Sequence, residues 1–396
     1  MLDEEKKIDG IRKINEDGIF NGTRLKSARK YRGKTIVELA NDIGISKQAI
    51  SQYENGTIYP VFEILMKIIN TLKFPREYFY EKDSINIGLG NTYFRASSKL
   101  TKKEEGIENE KSILVGKIFS ILNEYIEFPK LNLPSIDTEL PIQEIAMKVR
   151  EYWQLGEEPI QDIIYILEKN GITITSMNTN TENVDAFSQR QDINGEAHYI
   201  IVLGNDKGSA TRRQFSAAHE LGHIIMHDAF LELDCLSKEE QREIENQAHE
   251  FASAFLLPSN TFSRDISVYP TNLDYYIQLK KKWKTSISAM LVRANNLGIL
   301  TYSSYQTLMR KISKMGWRKN EPLDDTLIIS QPTLLKRAVN ILIDNDILNQ
   351  EEFIKELSKN KISLLGEEIE SLLGLDKGRL KFKKEDSKII DIQIKK

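Results

Sequence analysis

The chain has 396 residues, 40% of them hydrophobic, and a formal net charge of −3 at pH 7. That length predicts two or three domains, and the near-neutral charge excludes a global pull toward nucleic acid or membranes, so any basic surface must be local. A single cysteine, Cys235, excludes an internal disulfide framework and reads as a small apolar residue in a reducing compartment.

In chain order, residues 1–20 carry no strong pattern and read as a flexible lead-in. No apolar leader stands there, and no run approaches the ~20 apolar residues that span a bilayer, so a soluble, cytoplasmic protein without membrane partners is expected. From Thr23 to about Tyr80 the apolar spacing is helical and predicts about five short helices, broken at Gly33, Gly44 and Asn55-Gly56. Residues 84–100 lose periodicity. Residues 102–125 resume it as one amphipathic helix, either a spacer or a dimerisation arm, and Pro129, Pro134 and Pro141 punctuate the connection to the next domain. Helices at 143–153 and 159–170 follow, then β-rich runs at 172–176, 184–188 and 198–203. A helix beginning near Thr211 and a second at 238–257, stopped by Pro258, come next. Residues 272–320 and 330–374 read as further helices, and 380–394 as a terminal hairpin.

The run His219-Glu220-Leu221-Gly222-His223 carries the chemistry. On a helix, residues four apart share a face, so both imidazoles can bind one Zn²⁺ with Glu220 beside the open position. Catalytic zinc takes three protein ligands, so a third is needed. Glu245 continues the inward stripe of Ala248, Phe251, Ala252 and Phe255, and a carboxylate on a buried stripe needs a partner such as zinc. Asp234, Glu239, Glu240, Glu243 and Glu250 are rivals in less favourable settings. Glu220 would be the general base on water and return the proton to the leaving amine. His227, one turn beyond His223, and His249, four residues after Glu245, are candidates for orienting ligands or flanking the site. His198 opens a strand that, as an edge strand, would hold an extended peptide substrate.

Upstream, residues 35–43, a turn at Gly44 and residues 46–56 form a helix-turn-helix pattern. Ser46 caps the second helix, and Lys47, Gln48, Ser51 and Gln52 are left outward as donors for base edges and phosphates. Between Thr23 and Lys82 stand eleven Lys or Arg against six Asp or Glu, five net positive charges in a chain that is negative overall. The charge lies where DNA binding needs it.

The run Arg213-x-Phe215-x-x-Ala218-His219-Glu220-Leu221-Gly222-His223, with Glu245, Ala248, Phe251-Ala252 and Leu256-Leu257-Pro258, resembles the ImmA/IrrE metallopeptidases over roughly residues 140–260. That resemblance implies a gluzincin-type zinc endopeptidase with ligands His219, His223 and Glu245 and base Glu220, whose relatives typically cleave a transcriptional repressor. The sequence departs from the family's frequent Glu-Ala-Asn at Gln247-Ala248-His249. Residues 45–56, Ile-Ser-x-x-x-Ile-Ser-x-Tyr-Glu-Asn-Gly, resemble the Cro/C1 (XRE) repressor domains, which implies an internal Arg29–Glu54 ion pair. Ile36 stands where many of those domains carry a phosphate-gripping Gln. The fused arrangement, with Trp317-Arg-Lys-Asn-Glu-Pro322, is similar to bacterial XRE regulators carrying an ImmA/IrrE domain.

The expected fold is mainly α with a small β-sheet (α+β). It comprises the lead-in 1–20, a helix-turn-helix domain 21–82, a linker with a long helix 83–135, and a zincin-like metallopeptidase domain 136–265. A helical extension 266–325 and a helical C-terminal region 326–396 complete it. The expected function is a DNA-binding transcriptional regulator, bacterial or phage, whose zinc peptidase hydrolyses a peptide bond in a repressor or antitoxin. The alternative is a non-proteolytic regulator whose zinc domain senses metal, peptide or stress. A third reading is an interaction protein of a toxin–antitoxin or phage-immunity system. Expected partners are an operator duplex, a protein substrate and a second copy of the chain.

Overall fold

The computed structural model describes residues 19–82, 85, 87–94, 101–177, 185–205, 208–227 and 236–381. The lead-in before residue 19, Asp234, Cys235 and the expected hairpin beyond residue 381 lie outside the described residues. Among the described residues the fold is α+β, with sixteen α-helices and one four-stranded sheet. No helix among them is long and apolar enough to cross a membrane.

The first described elements are α1 (Gly22–Tyr31), α2 (Ile36–Ile43), α3 (Lys47–Glu54) and α4 (Phe62–Leu72), closed by a 3-10 turn at Arg76–Tyr80. α2 starts at a capping box, in which Thr35 and Glu38 side chains accept from each other's backbone N–H groups. It ends at Gly44, whose φ of 73° lies in the left-handed region that favours glycine. Ser46 then caps α3, its Oγ accepting from the Ala49 N–H at 3.2 Å.

Strand β1 (Ile87–Phe94) and helix α5 (Lys102–Leu122) follow, then α6 (Ile142–Tyr152), α7 (Ile163–Lys169), β2 (Thr173–Met177), β3 (Ala186–Ile193) and β4 (Glu196–Gly204). The sheet order is β1-β3-β4-β2. β3 and β4 form a hairpin through Asn194-Gly195, whose φ values of 53° and 87° suit a tight turn matching the strand twist. β2 pairs parallel with β4, and β1 pairs antiparallel with β3. Strand β1 falls where the sequence shows no periodicity: Gly88 and Gly90 break the alternation, and pairing with β3 supplies the order that local pattern lacks.

The sheet separates two cores. On one face Met177, Phe187, Ile200 and Val202 pack with the helix-turn-helix core and with Leu114, Val115 and Ile118 of α5. The same core takes in Leu335, Leu342 and Leu372 from α14 (Leu334–Asp344) and α16 (Gly366–Leu373), which flank α15 (Gln350–Lys359). On the other face Ile174, Ala186, Ile201 and Leu203 pack with α8 (Ala210–Met226) and α9 (Lys238–Leu256). The helices α10 (Ser259–Ile266), α11 (Leu273–Trp283), α12 (Ile287–Asn296) and α13 (Tyr302–Lys314) extend this second core.

Helix α5 is therefore neither a spacer nor a free dimerisation arm. Its apolar stripe is buried inside the chain, each aliphatic side chain there contributing about 1.5–3 kcal/mol. The C-terminal helices hold the helix-turn-helix unit beside it. Glu368 accepts from the Tyr31 hydroxyl and from Arg32 Nη2 at 2.6 Å, Ser363 Oγ donates to Glu81 at 2.6 Å, and Arg24 Nη2 donates to the Lys361 carbonyl at 2.8 Å.

Candidate active site and nucleic-acid interface

Helix α8 carries His219 and His223 one turn apart on one face. Helix α9 packs antiparallel to it, so that His219 meets His249 while His223 meets Glu245. Gly222 permits the approach. A Cβ there would lie 3.1 Å from the Phe251 ring and 3.3 Å from the Ala248 backbone, so a side chain would push the helices apart.

Three donor groups converge at this crossing. The Nε2 atoms of His219 and His223 are 3.1 Å apart, and each is 3.4 Å from a Glu245 carboxylate oxygen. Burial pushes His219 down to about 3 despite the hydrogen bond with Glu245, so the ring is neutral at physiological pH. Burial raises the Glu245 carboxyl, but the His219 and His223 rings beside it outweigh burial and hold the group well below the usual carboxylate range. A neutral imidazole beside an ionised carboxylate matches the protonation states a divalent metal requires. Tetrahedral zinc with bonds of about 2.0–2.1 Å needs donors about 3.3–3.4 Å apart, so this donor set fits it.

A hydrogen-bond chain sets the tautomer of His223. Gln247 Nε2 donates to Glu243 at 3.4 Å, which leaves its carbonyl oxygen to accept from His227 Nε2 at 3.1 Å. His227 Nδ1 is then the acceptor for His223 Nδ1 at 2.9 Å. With that chain in place the outer nitrogen of His223 is the donor, and Nε2 would be left for a metal. Burial pushes His227 itself down to about 4. His249 Nδ1 lies 2.7 Å from Nδ1 of His219. His249 also groups with His219 and Glu245 as a potential ligand, within 4.8 Å. The nitrogen it faces is the one His219 turns away from Glu245, which puts His249 behind His219 rather than among the converging donors.

Glu220 is fully buried beside the pair, and Ser188 Oγ of β3 donates to its Oε2 at 2.7 Å. Sequence reasoning missed Ser188, because a serine in a strand gives no local sign of what the sheet register sets beneath it. Gln247 was visible only as a departure from a motif. A cleft of about 660 Å³ opens beside His249, walled by Phe215, Val292, Trp317 and Arg318.

His198 does not join this site. Strand β4 is interior to the sheet rather than an edge, and His198 pairs with Gln191 on the face turned toward α5. There it stacks on Phe119 with centroids 4.0 Å apart and meets Thr173 Oγ1 at 2.9 Å. The clustering of all five histidines in sequence brings four of them together in space.

In the helix-turn-helix unit, Lys47, Gln48 and Gln52 are exposed on α3, Ser51 is half-buried, and Ser46 is exposed at the helix start. Arg29 forms a bidentate pair with Glu54 behind them, Nε–Oε1 at 2.5 Å and Nη2–Oε2 at 2.9 Å. Ile36 packs against the core.

Two family models match. Residues 22–85 match a helix-turn-helix domain, and residues 167–295 match the IrrE N-terminal-like domain, a peptidase family. The chain therefore carries a region similar to helix-turn-helix domains ahead of one similar to the IrrE N-terminal-like domain, the fused order that the sequence resemblance implies. No match was found among curated proteins. The peptidase match extends past residue 260, where the resemblance in sequence was placed, and so takes in α10, α11 and most of α12. The Trp317–Pro322 run belongs with these helices: Glu321 accepts from the Ile287 and Ser288 N–H groups at 2.7 and 2.9 Å, capping α12. Its charge, with that of Asp324, is balanced by the buried Lys280 at 2.9 and 2.6 Å.

Proposed function

We propose that the protein is a DNA-tethered zinc endopeptidase that hydrolyses a peptide bond in a repressor or antitoxin and thereby switches gene expression. The observation that carries this reading is the convergence of His219, His223 and Glu245 with the buried carboxylate of Glu220 beside them.

His219, His223 and Glu245 would hold the metal. Zinc supplies Lewis acidity to a carbonyl and to water. The chain's own residues then do the rest. Ser188 keeps one oxygen of Glu220 in a hydrogen bond, which aims the carboxylate as general base; Glu220 then passes the proton it takes from water to the leaving amine. His227 and His249 stand behind the two imidazoles and orient them. On the opposite core, Ser46, Lys47, Gln48, Ser51 and Gln52 form the surface that enters the major groove.

The test is Glu220→Gln in the full chain. Cleavage and the regulatory output should vanish while zinc content and operator binding stay as in wild type. Regulation that survives the substitution overturns the peptidase reading in favour of a zinc domain that senses without turnover.

A further inference from the structure

Strand β3 supplies Ser188 to Glu220, so whatever lies along its outer edge lies next to that carboxylate. In this chain the edge is taken by β1, antiparallel from Ile87↔Ile193 to Phe94↔Phe187, with Tyr93 opposite Ser188. The helix-turn-helix match ends at residue 85 and the peptidase match begins at residue 167. The strand beside Glu220 is therefore lent to the peptidase sheet by the segment between the two. The other edge strand, β2, is separated from β3 by β4.

An exposed sheet edge holds an extended peptide through main-chain hydrogen bonds, and a peptidase must hold its substrate extended beside its base. We propose that the outer edge of β3 is the peptide-binding edge of this enzyme and that residues 87–94 are its resident occupant. A substrate segment then enters by displacing β1. This deepens the peptidase reading and rests on it. The class of substrate is an extended, glycine-containing stretch of polypeptide like β1 itself, from a protein whose segment of this kind is accessible.

Two features weaken the pairing of β1. Gly88 and Gly90 add no cross-strand side-chain pairs, and the register breaks between Leu89 and Thr92. Among its described side chains, the Thr92 hydroxyl is an anchor, 3.0 Å from Asn109 Oδ1 and 2.6 Å from Gln189 Nε2.

The structure also supplies a lock. A Cβ on Gly88 would stand 3.3 Å from the Cβ of Asp192, close to disulfide range. The test uses full-length protein carrying Glu220→Gln, so that binding is read without cleavage, and Cys235→Ser, so that Gly88→Cys and Asp192→Cys are the only thiols. The probe is a fluorescent peptide with the sequence of residues 87–94, followed by anisotropy. The oxidised protein should bind none, and reduction of the same sample should restore the binding of the parent. In the parent background Thr92→Pro, which removes the anchoring hydroxyl and sets a proline in the strand, should bind about tenfold more tightly or better, because the open fraction rises. Equal binding by the oxidised and reduced forms overturns the proposal. Failure of the peptidase reading looks different: wild type cuts nothing, while the redox difference in peptide binding persists.

Discussion

Ser188 and Glu220, thirty-two positions apart, meet at 2.7 Å in the buried space between β3 and α8. The hydroxyl of one fixes the direction of the other's carboxylate, and it does so from the strand proposed above as the peptide-binding edge. The sheet and α8 are thereby tied at this point.

Replacing Ser188 with Ala removes a hydrogen bond to a buried carboxyl group. The loss is about 1.5 kcal/mol, roughly tenfold in rate. Steady-state cleavage should show kcat reduced with KM and zinc stoichiometry unchanged. A fall in zinc content instead would mean that Ser188 supports the fold of the site rather than the aim of Glu220.

Gln247 acts two bonds away from the donor set. Leucine there leaves His227 without the carbonyl that selects its tautomer, and His223 loses its orientation. Zinc affinity, read by competition with a chromogenic chelator, should weaken by about 10–100-fold. Gln247→Glu, which keeps an acceptor, should recover most of it.

His198 gives the fold an acid sensitivity separate from the site. Burial pushes it down to about 4, so the folded state keeps it neutral while the unfolded chain protonates it below about 6.5. The unfolded state then binds more protons, and stability is lost as pH falls from about 6.5 toward 4, by up to about 3 kcal/mol. His198→Gln should show a smaller drop in urea midpoint between pH 7 and pH 4.5 than wild type does. An unchanged drop assigns the acid sensitivity elsewhere.

On the DNA side, Lys47→Ala should weaken binding to all sequences alike and reduce the slope of log K against log salt by about 1. Gln48→Ala should instead relax preference at one base pair, at a cost of about 1–3 kcal/mol. Titration of operator and scrambled duplexes at several salt concentrations separates the two.

Much of this was written in local pattern. The spacing of His219 and His223 sets a shared face on any helix, and the Ala248, Phe251, Phe255 stripe carries Glu245 inward with it. Gly44 and Ser46 mark the turn and cap of the helix-turn-helix without help from the rest of the chain. What stayed hidden depends on register and long-range packing. The periodicity of α5 shows that one face is buried but not that the C-terminal helices and the sheet bury it. Strand β1 exists because β3 pairs with it. His198 begins a strand, yet whether that strand is an edge is decided by β1 and β2, far away in sequence. Ser188 reaches Glu220 only through the hairpin that Asn194-Gly195 closes.

The most direct measurement is intact mass spectrometry of candidate repressor proteins from the same locus after incubation with zinc and either wild type or Glu220→Gln protein. Wild type should give two fragments whose masses sum to that of the substrate plus one water, and Glu220→Gln should leave the substrate intact. The same fragments from both proteins, or none from wild type carrying a full complement of zinc, would contradict the peptidase reading.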